Sequence, residues 1–125
     1  MKTGLAALAA LMLVAGCASA PAPEAAVAAK GYVIAEIEVT NPEAYEGYKA
    51  KVAPMVAAFG GTYLVRGGQT ETREGAPPKG RIVVLEFPSF AAAQAFNDSP
   101  EYAEIVRLRT DNAVSRVIIA EGLAR

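Results

Sequence analysis

The chain has 125 residues, 53% of them hydrophobic and 20% charged, which suits one globular domain with a short accessory segment and leaves no room for a second. With 12 basic against 13 acidic residues the formal net charge is -1, without the basic excess of a phosphate-binding surface, so nucleic acid is not an expected partner. Histidine is absent and Cys17 is the single cysteine, which excludes imidazole bases, Cys–His nucleophiles and His/Cys metal sites from the fold; no EF-hand loop is present, and neither a metal nor a cofactor is expected.

At the N-terminus, Lys2 precedes the apolar run Leu5 to Val14, the charged and hydrophobic regions of a secretory signal peptide over residues 1–16. The run is too short for a bilayer, which takes about 20 apolar residues. Its end, Val14-Ala15-Gly16-Cys17, resembles the bacterial lipobox, and the resemblance implies that Cys17 becomes the acylated first residue of a lipoprotein. The alternative is ordinary cleavage after Ala18-Ser19-Ala20, which puts Pro21, a poor residue beside a scissile bond, directly after the cut. Several acyl chains on one residue hold a protein stably on its membrane. Ala18 after the cysteine resembles the default for the outer membrane, facing the periplasm of the cell envelope. Residues 17–30 are rich in Ala and Pro with no apolar periodicity and read as a tether, up to ~40 Å long at the ~3.1 Å per residue of an extended chain.

The domain is expected over residues 31–125. Tyr32 to Thr40 alternates as a strand, with Val33, Ala35, Ile37 and Val39 on one face and Tyr32, Ile34, Glu36 and Glu38 on the other. Asn41-Pro42-Glu43 starts a helix carrying Tyr45, Tyr48, Val52, Met55, Val56 and Phe59 at helical spacing, stopped by Gly60-Gly61. Pro54 falls inside it and is expected to kink or divide it. Thr62 to Arg66 is a second strand, Gly67-Gly68 a bulge or tight bend, and 74–80 a loop with Pro77-Pro78. A third strand, Arg81 to Phe87, ends at Pro88; Ser89 caps a helix through Phe96, and Ser99-Pro100-Glu101 restarts one through Tyr102, Ile105, Val106 and Arg109. Ala113 to Glu121 is the last strand.

The order is β-α-β-β-α-β: an α+β, ferredoxin-like fold with a four-stranded antiparallel sheet and its helices on one face. By parity the other face carries Ile34, Leu64, Ile82, Val84 and Ile118, apolar enough to need a cover, and a homodimer that closes two such sheets supplies one. The segments Gly31-Tyr32-Val33 to Val39, Asn41-Pro42, Tyr45-x-x-Tyr48, Gly60-Gly61, Leu64 to Gly68, Leu85 to Ser89 and Ser99 to Tyr102 resemble domain-of-unknown-function family 1330 over Gly31 to Leu123. That resemblance implies a dimeric α+β barrel, shared with small cofactor-independent monooxygenases, isomerases and haem-handling relatives, and implies no agreed activity.

Parity places Glu36, Arg66, Glu86 and Arg116 on the non-helical face, with Glu86 in reach of both Glu36 and Arg66. One reading is an interfacial ion network that fixes dimer register. Another is a pocket where Arg66 clamps a carboxylate or enolate while Glu36 or Glu86 moves a proton, and a third is exposed charges with no special role. Tyr45 and Tyr48 suit core packing, with hydroxyls that can reach a ligand, and Tyr48 joins the four charges as a pocket candidate. Two functional classes follow: a binding or interaction module for a small apolar or acidic molecule, which is preferred, and a cofactor-independent enzyme acting on a small apolar acid or quinone-like compound.

Overall fold

The computed structural model describes residues 27–125 without a gap, and before them residues 1, 3, 4, 10–13 and 16. Cys17, Val14-Ala15 of the lipobox and residues 18–26 of the expected tether lie outside the described residues. Among the described residues no helix is long and apolar enough to cross a membrane.

The elements run β1 (Gly31–Val39), α1 (Pro42–Ala58), β2 (Thr62–Arg66), β3 (Arg81–Phe87), α2 (Phe90–Asn97), α3 (Pro100–Thr110) and β4 (Ala113–Glu121). The three helices among the described residues begin where short polar side chains can take up a free backbone N–H. The Asn41, Ser89 and Ser99 side chains accept from the amides of Ala44, Ala92 and Tyr102, and Pro42 and Pro100 stand in first turns that need no donor. The second helical stretch is thus two helices, because Ser99-Pro100 both ends one and starts the next.

Of the two outcomes expected at Pro54, division does not occur: the helix continues through it to Ala58. Pro54 is exposed, so the carbonyl that loses its donor there stands on the water side, while Val52 and Val56 on the opposite side stay buried against the sheet. Gly60 then takes φ 79° to turn the chain.

The sheet is antiparallel in the order β2-β3-β1-β4, so the first and third strands are central. The alternation expected in β1 holds: Val33, Ala35 and Ile37 are buried under the helices with Leu85 and Phe87 of β3. Against them pack Tyr45, Tyr48, Val52 and Val56 of α1, Ala93 and Phe96 of α2, and Tyr102 and Ile105 of α3. Phe96 is the hub, with its ring 5.2 Å from Phe87, 4.9 Å from Tyr102 and 5.8 Å from Phe59. Burying side chains of this size contributes roughly 1.5–3 kcal/mol each.

Residues 27–30, the end of the expected tether, are held by the C-terminus. Val27 and Arg125 exchange backbone hydrogen bonds of 2.8 and 3.2 Å, and Gly122 N–H donates to Lys30 O at 2.8 Å.

On the face away from the helices Ile34, Ile82 and Val84 are half-buried while Ile118 is 48% and Val114 67% exposed, so the expected apolar face is there. One departure in β2 matters for everything that follows. Thr62 and Tyr63 pair with Glu86 and Leu85, but the next matched pair is Val65 with Val84, which leaves Leu64 as the extra residue of a bulge. Past the bulge every side chain of β2 stands on the face opposite to that of an unbroken strand.

Candidate functional site

Between the sheet and the helices lies a cavity of about 50 Å³. Its floor is apolar, made by Val33, Ala35, Val83, Leu85 and Val117 of the sheet, and Val52 and Phe96 close it from the helices. Its polar lining is four tyrosines and four cations: Tyr45, Tyr48, Tyr63 and Tyr102 with Lys49, Arg66, Arg81 and Arg109. Asn97 completes the polar side, and no lining residue carries a carboxylate. Each cation has a local reason to be there. Arg81 shares the parity of Val83, Leu85 and Phe87 and so starts β3 on the helical face. Arg109 stands two turns along α3 from Tyr102, on the buried stripe with Ile105. Lys49 follows Tyr48 on α1 and is tied to Glu46 at 2.9 Å. Arg66 is the residue that the bulge turns inward.

Tyr48 and Tyr102 are buried with hydroxyl oxygens 3.0 Å apart, and Arg109 Nη2 donates to the Tyr102 oxygen at 3.3 Å. Arg109 is only 8% exposed, its guanidinium carbon 5.9 Å from the Tyr48 ring centre. Arg66 lies 4.4 Å from the Tyr63 ring centre. Arg81 Nε is buried with no hydrogen-bond partner. Gly67 takes φ 69°, which calls for glycine, and passes so close to Arg81 that a Cβ there would come 2.7 Å from Nη2 and 2.8 Å from Nε. Burial pushes the phenols of Tyr45, Tyr48 and Tyr63 above the ordinary tyrosine value, against the opposing pull of nearby arginines, so these three hold their protons at neutral pH.

Of the residues singled out from the sequence, Tyr48 lines this cavity and Arg66 stands at its exposed edge. Glu36, Glu86 and Arg116 lie on the other side of the sheet. The expected Arg66–Glu86 pair does not exist, because in a regular β2 Arg66 would oppose Ile82, whereas the bulge brings it opposite Val83 on the helical face. Glu86 does not reach Glu36 either: Glu86 sits opposite Tyr32 and Glu36 opposite Ile82, four residues apart along β1. The three remaining charges form two separate contacts. Glu36 Oε2 lies 3.4 Å from Arg116 Nη2, with the Arg116 side chain 77% exposed, and its Oε1 accepts from Lys79 N–H at 2.7 Å. Glu86 Oε2 accepts from the Tyr32 hydroxyl at 3.0 Å, which raises the Tyr32 pKa. An ion pair as exposed as Glu36–Arg116 is worth about 0–1 kcal/mol and carries no strong register signal.

Lys49, Tyr63, Arg81, Tyr102 and Arg109 are the site residues that sequence reasoning passed over. Two of them had a legible signal: Arg81 by strand parity and Arg109 as a cation on the apolar stripe of its helix. Arg66 had only Gly67-Gly68 as a hint of irregular geometry nearby.

Among solved structures, the chain is similar to the crystal structure of methylated RPA0582 protein, with 24% identity and TM-score 0.58 over 78% of this chain and 84% of that one. It is also similar to the crystal structure of RPA0582, a protein of unknown function from Rhodopseudomonas palustris, with 26% identity and TM-score 0.57 over 78% and 85%. No curated protein matches the sequence. The model of the Domain of unknown function (DUF1330) matches residues 30–123, the whole span that builds the sheet, the helices and the cavity between them, and the chain therefore belongs to the DUF1330 family.

Proposed function

We propose that this protein is an envelope-anchored module that binds a small molecule in the cavity between its helices and its sheet. The observation that carries the reading is the lining itself: an apolar floor with polar groups converging on it from α1, α3, β2 and β3, the usual make-up of a ligand site. Catalysis by proton transfer, the alternative weighed from the sequence, needs a group that accepts a proton near neutral pH. The cavity offers neither carboxylate nor imidazole, and Tyr45, Tyr48 and Tyr63 stay protonated. Binding therefore suits this lining better than turnover.

Two further parts of the proposal concern how the domain is displayed. Cys17 anchors it through a lipid to the bacterial outer membrane, facing the periplasm, as the lipobox motif supports, with residues 18–26 as spacer. The apolar face opposite the helices, where Leu64, Val65, Val114 and Ile118 are between 38% and 67% exposed, packs against a second copy. Binding on the helical side leaves that face free, so dimerisation and ligand binding do not compete.

Native mass spectrometry of the purified protein tests the binding reading. A retained or added small molecule should bind wild type and be lost in Val117→Phe, which fills the floor of the cavity. A ligand held equally by Val117→Phe would place it elsewhere and overturn the assignment.

A further inference from the structure

Resting on the reading of the cavity as a ligand site, we infer that its occupant is a short monocarboxylate of about four or five heavy atoms, held head-first by Arg81, Arg109 and the Tyr48–Tyr102 pair. The argument is a count of donors and acceptors. The two phenols carry two O–H hydrogens and share one O···O contact of 3.0 Å, which uses one of them. The Tyr102 oxygen also receives Arg109 Nη2, so the second phenolic hydrogen needs an acceptor from outside the pair. Arg81 Nε–H is buried with no acceptor among the described residues. A buried donor left unpaired is costly, and these two belong to residues that line one small space whose lining includes no anionic acceptor.

Charge points the same way. Lys49, Arg66, Arg81 and Arg109 put four positive side chains around the cavity, and among the described residues only Lys49 has a carboxylate partner, the exposed Glu46. A carboxylate presents two oxygens that accept several hydrogen bonds, and guanidinium groups match its planar geometry. Lys49 and Arg66 stand at the solvent edge, so an anion meets positive charge first and then the buried donors, a sequence that favours entry. Size limits the rest of the molecule. At roughly 10–15 Å³ per water-sized occupant, a cavity of about 50 Å³ holds about four such units, well short of a benzene-sized cavity. The apolar floor asks that the tail be hydrocarbon, which separates this ligand from inorganic phosphate.

The test is titration calorimetry of the full chain in mild detergent at neutral pH and low chloride, with propanoate, propanamide, benzoate and inorganic phosphate as probes. Propanoate is expected to bind once per chain and at least tenfold more tightly than each of the other three. Arg81→Met should weaken propanoate at least tenfold while leaving the thermal midpoint equal to or above that of wild type, since it removes a half-buried side chain whose buried Nε–H has no partner. The comparison of propanoate with propanamide is made on wild type and stands even if Arg81→Met does not fold. Propanamide binding as well as propanoate would overturn the anion assignment and leave the cavity reading intact. Phosphate binding as well would overturn the role of the apolar floor, and benzoate binding as well would overturn the size limit. If none of the four binds at millimolar concentration the inference falls, whereas a ligand lost from Val117→Phe in native mass spectrometry would still uphold the cavity as a binding site.

Discussion

Tyr48→Phe in combination with alkaline pH tests how the phenols of the cavity are held. At neutral pH the substitution removes one buried hydroxyl and its 3.0 Å contact with Tyr102, a loss of about 1 kcal/mol. Burial raises the folded-state pKa of Tyr48, so its contribution is whole below the unfolded value of about 10 and is lost as pH climbs above it. Unfolding in that range releases a proton that the native state keeps, and stability falls by up to about 1.4 kcal/mol per pH unit for this one group. By about pH 11, one unit past the unfolded value, wild type has lost roughly 1.4 kcal/mol that the phenylalanine variant does not lose, which offsets the deficit of the variant at neutral pH, so the two proteins become about equally stable. Tyr45 and Tyr63 are present in both proteins and cancel in the difference. Urea unfolding followed by far-ultraviolet circular dichroism between about pH 8 and pH 11 measures it. A gap between wild type and variant that stays constant across this range would refute the picture of a phenol held neutral by burial.

Arg66→Ala should change stability by less than about 1 kcal/mol, because the side chain is exposed and stacked on Tyr63 instead of paired with a buried carboxylate; a loss of 3 kcal/mol or more in urea unfolding would revive the buried pair. Phe96→Ala should cost about 3–5 kcal/mol, since its ring joins Phe59, Phe87 and Tyr102, and a loss below about 1 kcal/mol would mean that the aromatic hub is not the centre of the core. Cys17→Ser should abolish acyl labelling and signal-peptide processing in cells; a normally processed, soluble product would sink the lipid anchor. Light scattering on residues 27–125 should give twice the chain mass, with Ile118→Glu returning it to one; a wild-type monomer at micromolar concentration would remove the proposed dimer.

The order of elements was legible in the sequence because its signals are local. Asn41-Pro42, Ser89 and Ser99-Pro100 act within one turn of where they stand, and the alternation of β1 and β3 follows from which residues must leave water. The same parity put Arg116 on the non-helical face, where the structure sets it opposite Glu36. Whether Pro54 divides its helix depends on whether it faces water or the sheet, and tertiary packing decides that. The site was hidden for a related reason. Strand parity carries a side-chain direction only as far as the pairing stays regular, and the extra residue at Leu64 is a property of how β2 meets β3, so it reversed Arg66 and dissolved the expected pair with Glu86. The cavity is likewise a product of assembly: Tyr48, Tyr102, Arg81 and Arg109 come from three elements far apart in the chain, and a surplus of donors becomes visible only when the fold brings them around one space. Sequence alone determined which segments form strands and helices and which faces are apolar; the tertiary structure decided which side of the sheet holds the chemistry, because only the packed sheet and helices fix the register on which that side depends.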